Sequence, residues 1–494
     1  MARRIVRHMT SVALTLGLGI NVAVAAETDV TIGLQLEPPH LDPTSAAAGA
    51  IDSVLYSNVF EGLTRFGSDG SINPGLAESW TISDDGTVYT FELRDGATFH
   101  DGTALEATDV VFSLDRARAE DSANAQKALF AGISAVEAVD DTTVKVTLKA
   151  PQGNFLFNMA WGDAVIVAPE SIADIKTNPI GTGAFRFSNW VQGDKIELVR
   201  NDSYWGTPAK LEKATFKFIS DPSAAFAAMM AEDLDAFSGY PAPENLASFE
   251  VDDRFVVLAG STEGETILAM NNKAEHLSNK LVRQAITHAI DRKAIIDGAM
   301  FGFGTPIGTH FAPHNPDYVD LTANSPYDPD KAKALLAEAG LPDGFKTTLK
   351  LPPPSYARRG GEIIAAQLRA VGIETEISNL EWAQWLEQVF RGYDFGLTIV
   401  SHTEPMDIGI YARPDYYFQY DNADFQKIIG DLAIENDPTT RSALLKKAQE
   451  VISGDYVNGY LFQLAALTVH KAGLKGLWAN SPTQATDLTA VHWE

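Results

Sequence analysis

The sequence predicts an α/β protein with a strand-rich module in its first half. Three observations point there. From Trp80 onward the first half is a run of short alternating strands joined by turns. The second half alternates capped helices with strands, the pattern of a sheet covered by helices. The chain has 494 residues, and a prior of about 150 per domain gives about three domains. Apolar residues at 45% and charged residues at 21% make an ordinary globular balance that excludes wholesale disorder.

The elements follow in order. Arg3, Arg4 and Arg7 precede the apolar run from Val12 to Ile20, and Ala23-Val24-Ala25 ends it as a small-residue cleavage site. Residues 1–25 therefore read as a secretory signal peptide. Asn21 stops the run short of the about 20 apolar residues a membrane span needs. Val30-Thr31-Ile32-Gly33-Leu34 alternates as a strand. Ile51, Val54, Leu55, Val59 and Phe60 recur at helical spacing. Tyr89, Phe91 and Leu93 alternate after Asp84-Asp85-Gly86, as do Val144, Val146 and Leu148 after Asp140-Asp141, so residues 65–180 form the strand-rich module. Pro179-Ile180-Gly181-Thr182-Gly183 closes it, and strands around Ile196 and Phe216 follow. Asp328-Pro329 and Asp437-Pro438 each place a capping aspartate before a first-turn proline. Between them, Ile363, Ile364, Gln367, Leu368 and Val371 form a helix ended by Gly372, ahead of a strand at residues 374–377.

Composition removes several classes of function. There is no cysteine, so disulfide frameworks, thiolate metal sites, thiol nucleophiles and an N-terminal lipid anchor are excluded. Lysine plus arginine is 38 against 65 acids, a net −27 that argues against nucleic acid as a partner. Residues 1–25 hold three of those cations and no acid, so their removal leaves −30. An exported, acidic protein of the periplasm is expected. No phosphate loop, nucleophile-elbow serine or zinc-protease motif occurs. His310 and His314 are four apart, but Pro306, Pro313 and Pro316 forbid a shared helix face, so they read as loop histidines rather than metal ligands. No cofactor and no metal is expected.

One stretch is denser. Residues 382–420 carry Trp382, Trp385, Phe390, Tyr393, Phe395, Tyr411, Tyr416, Tyr417, Phe418 and Tyr420, with His402, Glu404, Asp407 and Arg413 among them. A hydrophobic core rimmed by charge accounts for many of these aromatics. The segment 401–407 also follows the apolar strand 395–400, and ligands of open α/β sheets bind beyond the carboxyl ends of strands. Carboxylates there suit an ammonium, with aromatic faces as cover. The two readings weigh about equally on the residues alone.

Asn73-Pro74-Gly75-Leu76-Ala77-Glu78-Ser79-Trp80, Asp85-Gly86-Thr87 with Tyr89-Thr90-Phe91, and Phe99-His100-Asp101-Gly102 with residues 108–113 form an ordered set of strings. Residues 180–185, Val282-Arg283-Gln284-Ala285-Ile286 and Ala289-Ile290-Asp291-Arg292 continue it. Together they resemble the extracytoplasmic solute-binding proteins of the dipeptide, oligopeptide and nickel ABC transporters, across essentially the whole chain beyond residue 25. The resemblance implies a two-lobed clamshell with an additional domain. The first lobe would be residues 26–64, 181–265 and 468–494, the additional domain 65–180, and the second lobe 266–467. Ligand would bind between the lobes of a monomer, which would present it to an inner-membrane permease with cytoplasmic ATPase subunits.

Peptide-binding relatives pair an aspartate after a second-lobe strand with the peptide ammonium; a glutamate at that position sets the carboxylate about one methylene further out. A gapless count from Glu381-Trp382 puts Glu404 there and Asp407 at a second acidic position. Trp382 matches a cleft-lining tryptophan, Trp385 and Tyr411 would complete the apolar walls, and His402 is a candidate contact. Arg413 fits either an anion contact or a surface ion pair. Relatives that take dipeptides hold the ligand carboxylate with an arginine upstream of paired arginines; here Arg358-Arg359 are preceded by Leu351-Pro352-Pro353-Pro354, and that clamp is missing. The expectation is a receptor for peptides or peptide-like amines. An opine, amino sugar, oligosaccharide or metal-chelate binder is the alternative, and a hydrolase using Glu404 and Asp407 as acid and base is a more distant one.

Overall fold

The computed structural model describes residues 27–45 and 49–494; the proposed signal peptide lies outside the described residues. Eleven strands form one mixed sheet that runs through both lobes. Its spine is a pair of long antiparallel strands, Phe255–Met270 and Gly459–Lys471. On one side they lead to Ala236–Ser238, then Asp29–Leu34 and Lys213–Phe218, all mutually parallel, and on to the antiparallel Lys195–Arg200 and Phe185–Val191. On the other side Leu397–His402 pairs in parallel with Phe345–Leu351, and that strand with Ile373–Asn379.

The second lobe is built as its caps predict. Asp328 accepts a hydrogen bond from Lys331 N at 2.9 Å and opens the helix Pro329–Glu338. Asp437 does the same for Pro438–Gly454 through Thr440 N at 2.8 Å. Ser355–Ala370 ends before Gly372, whose φ of 95° no side-chain-bearing residue adopts without strain. Ile364, Leu368 and Ile373 from this unit share a buried core with Ile286, Ile295 and Leu349.

The strand-rich module is a four-stranded antiparallel sheet in the order Ala77–Ile82, Val88–Leu93, Thr143–Leu148, Ile133–Ala138. Its alternation is that of a sheet with one face buried. Tyr89, Phe91, Val144 and Val146 turn inward against the helix Ala107–Arg118 and Phe155. The strip 164–168 is shared: Ala164, Ile166 and Ala168 face the module core while Val165 and Val167 enter the first-lobe core. The module also reaches the second lobe, where Tyr89 OH donates to Asn436 Oδ1 at 2.9 Å.

One helix is shorter than its spacing predicts. It spans Gly49–Leu55, because Ser57 takes a φ of 65° and Val59 N and Phe60 N both turn back to Leu55 O. Val59 and Phe60 are still core residues, so the periodicity reported burial correctly and the conformation wrongly. Among the described residues no helix is long and apolar enough to cross a membrane.

Candidate functional site

The two spine strands pair along most of their length, and their ladder breaks between Ser261 and Glu265. The break leaves Thr262, Glu263 and Gly264 out of register, held by Thr262 Oγ1, which accepts from Gly264 N and donates to Leu464 O, both at 2.9 Å. Such a bulge re-aims side chains at an edge or a site. Here it turns Glu263 and its neighbours toward a trough between the lobes.

The trough consists of two cavities of about 460 and 380 Å³ that share Gly49, Thr262, Ser481 and Gln484. The larger is roofed by first-lobe residues such as Leu36, Tyr240 and Trp478. The smaller is walled by Asp52 from the first lobe, Trp161 and Asp163 from the shared strip region, Glu263 from the bulge, and Thr403 and Pro405 from the second lobe. Its size is that of a small-molecule site. Among the described residues that line either cavity there are carboxylates and no lysine, arginine or histidine.

Asp52 sits on the short helix Gly49–Leu55 with its carboxyl against Gly162; a Cβ on that glycine would lie 2.4 Å from Asp52 Oδ1. Burial, with a smaller contribution from the negative charge of Asp163, pushes Asp52 up to about 8. Asp163 is 6% exposed, its Oδ1 has no hydrogen-bond partner, and burial pushes it up to about 7. The indole Nε1 of Trp161 is likewise buried without an acceptor.

Behind the second-lobe wall lies a closed network. Asp407 Oδ1 is 2.6 Å from His310 Nε2, and Asp407 Oδ2 is 3.2 Å from His402 Nδ1. A carboxylate only accepts, so both imidazoles donate to it. Their remaining nitrogens then accept from the hydroxyls of Tyr411 and Tyr417, at 3.2 and 3.1 Å. Burial opposes the charge on Asp407, but the two imidazoles outweigh it and hold the carboxyl well below the usual carboxylate range. Burial lowers His310. One ligand atom each of His310, His402 and Asp407 lie within 4.8 Å of one another, so this trio could hold a metal ion. Glu265 adjoins it, 3% exposed and pushed up by burial and then by the charges of Asp407 and Glu263. His314 bonds Glu263 at 2.7 Å.

The structure therefore redistributes the residues singled out in the sequence. Glu404 is exposed at the rim, between the lining residues Thr403 and Pro405. Asp407 and His402 are buried in the network, and both oxygens of Asp407 are engaged, which removes it as a free ligand contact or a general acid. Trp385 and Tyr411 are core residues rather than cleft walls. Trp385, 4% exposed, donates to Thr398 Oγ1 at 2.9 Å, and Tyr411 is fully buried against Phe418. Trp382 is 42% exposed and packs edge-on against Trp385. Arg413 is exposed, lies over the Tyr416 ring at 4.9 Å and faces Asp415, which favours its surface reading. Of the paired arginines, Arg358 bonds Glu381 and Leu380 O while Arg359 covers Phe301.

Sequence reasoning missed Asp52, Asp163, Glu263 and His310. His310 and His314 are loop residues, as their prolines require, yet His310 is a member of the trio that could bind a metal. The four come from four separate segments and share no local spacing. The only sequence signal was weak, namely acids and histidines beside glycine and proline punctuation.

Comparison with known proteins agrees with this architecture. The family model for bacterial extracellular solute-binding proteins, family 5 (middle), matches residues 71–424. The glutathione-binding protein GsiB of Pectobacterium atrosepticum is 34% identical over 374 residues, covering 74% of this chain and 72% of its own. Among solved structures, HbpA2 from Haemophilus parasuis superposes with a TM-score of 0.87 at 27% identity, over 94% of this chain and 100% of that one. DppA from Helicobacter pylori, in complex with the peptide STSA, gives 0.70 at 26% identity, over 95% and 98%. With the fold, the interlobe trough and a family match over most of its length in agreement, the chain belongs to family 5 of the bacterial extracellular solute-binding proteins.

Proposed function

We propose that the protein is the periplasmic substrate-binding component of an ABC importer, capturing peptides or peptide-like amines between its lobes. The observation that carries this reading is the trough itself. It is lined from both lobes and from the bulge that joins them, and its ionisable groups are all acidic. A ligand that touches both walls stabilises the closed form by its differential contacts, and no catalytic group is required. Glu404, at the second-lobe rim and without an ion pair to a basic side chain among the described residues, is the ammonium partner in this reading. Residues 1–25 would direct export, and a monomer would deliver its cargo to a membrane permease served by cytoplasmic ATPase subunits.

The curated relative cited above is named for glutathione and the solved one for a peptide complex. Glutathione carries two carboxylates, and burying them without a cation is costly. Because no basic side chain among the described residues lines the trough and Arg358 and Arg359 are engaged elsewhere, we infer an amine-bearing ligand that presents few free carboxylates. The same observation favours one second reading, a dedicated carrier of a non-peptide amine such as an amino sugar.

Native mass spectrometry of the protein taken from its own periplasm tests both. A ladder of adducts at residue-mass spacing supports a peptide receptor. A single adduct of non-peptide mass replaces it with the dedicated carrier. Chemically altered solute after long incubation would overturn the binding-protein reading altogether.

A further inference from the structure

An ammonium held by Glu404 on the second-lobe rim leaves the opposite wall of the trough unexplained. We propose that Asp52 and Asp163 form a second ligand subsite that takes an ammonium or guanidinium carried on the far end of the ligand. The inference rests on the trough being the ligand site and deepens that reading by naming the ligand class. With Glu404 holding an α-ammonium, the preferred solute is a peptide with a basic side chain.

Four observations carry it. Both carboxyls line the same interlobe cavity of about 380 Å³. Asp163, 94% buried by its 6% exposure, keeps Oδ1 without a hydrogen-bond partner inside the fold. No lysine, arginine or histidine is among the described lining residues, so any countercharge for the ionised pair comes from outside the trough walls. Gly162 makes room for the Asp52 carboxyl, since any Cβ there would collide with Oδ1. A buried carboxyl oxygen left without a donor, as Asp163 Oδ1 is, is a cost to the fold, and a cation between the two acids converts that cost into charge-assisted hydrogen bonds. Trp161 lines the same wall and offers its ring to the stem of the cation. The upward shift of both acids, caused first by burial, fits the same picture: a bound cation ionises them and drives protons off.

The His310–His402–Asp407 trio is a different kind of place. Its polar atoms already satisfy one another, whereas the oxygen of Asp163 and the nitrogen of Trp161 do not.

The test is calorimetric titration of protein freed of bound solute with two tripeptides, Ala-Lys-Ala and Ala-norleucine-Ala, which differ only by the ammonium. The wild type should bind the lysine peptide about tenfold more tightly or better. Asp52→Asn/Asp163→Asn should bind both alike, and Gly162→Ala, which displaces Asp52 without changing charge, should lose most of the preference. Glu404→Gln should weaken both peptides by one common factor and keep the ratio between them. Equal affinities in the wild type, or a ratio that survives Asp52→Asn/Asp163→Asn, would overturn the subsite. If neither peptide binds, the peptide reading falls and cadaverine decides the subsite alone. A saturable rise in wild-type Tm that the double variant lacks supports it, and no rise in the wild type overturns it. The isosteric amides remove buried charge, so the double variant is expected to fold; its Tm without ligand checks this.

Discussion

Two groups of largely enclosed carboxyls, one on each side of the trough, respond to their surroundings in opposite directions. Asp52 and Asp163 on the first-lobe wall are pushed up to about 8 and about 7. Asp407 in the second lobe, its side chain 13% exposed, is held below the ordinary carboxylate range. The difference is the supply of donors. Asp407 receives an imidazole N–H on each oxygen, and each imidazole is completed by a tyrosine hydroxyl. Asp163 Oδ1 receives nothing. Burial alone does not set the state of an acid; the hydrogen bonds that come with it do. The finished network is therefore part of the scaffold, and the unfinished pair is where the molecule awaits a partner.

The largest effect should come from breaking the finished side. Asp407→Ala strips the acceptor from two buried imidazoles and should cost about 3–5 kcal/mol, read as a fall in urea midpoint. Little change would mean that water or rearrangement replaces the carboxylate and that the network is not structural.

Next comes the unfinished side, with the opposite sign. Asp52 has a folded value above its unfolded one, so the folded state binds the extra proton and stability falls as pH rises from about 4 to about 8. Asp52→Asn should therefore be more stable than wild type by about 2–3 kcal/mol at pH 9 and equal to it near pH 4. Asp407, depressed in the fold, contributes stability that is present above pH 4 and lost only as pH falls further, so Asp407→Ala should lose its penalty in strong acid. Denaturant curves across this range distinguish the two profiles, and parallel profiles would break the comparison.

A smaller effect tests the outer layer of the network. Tyr417→Phe removes the hydroxyl that completes His402 Nε2 and should cost about 1–2 kcal/mol. The smallest belongs to the rim. Glu404→Gln and Arg413→Ala, both exposed, should leave stability within about 0.5 kcal/mol. Only Glu404→Gln should weaken ligand binding, which calorimetry with the ligand identified by mass spectrometry would show.

Much of the fold is legible in the chain because its signals are local. Asp328 and Asp437 cap where a capping aspartate before a first-turn proline says they should, and Tyr89, Phe91, Val144 and Val146 turn inward as their alternation says. Where the reading overran, at residues 56–60, burial continued past the end of the helix, and hydrophobic spacing reports burial before it reports conformation. The candidate site is less legible. The aromatic stretch 382–420 supplied Trp385 and Tyr411 to the core, because density of aromatic residues marks a core as readily as a cleft.

The sequence by itself determined the α/β class, the strand-rich module, the capped helices, the acidic balance and the family strings, all of which are properties of neighbouring residues or of composition. Only the tertiary structure decided which carboxyls are exposed, satisfied or stranded. Asp52 meets Gly162 across more than a hundred residues, and Asp407 meets His310 across nearly as many. Whether a buried acid finds a donor depends on how the strands and loops converge, and no spacing along the chain encodes that convergence.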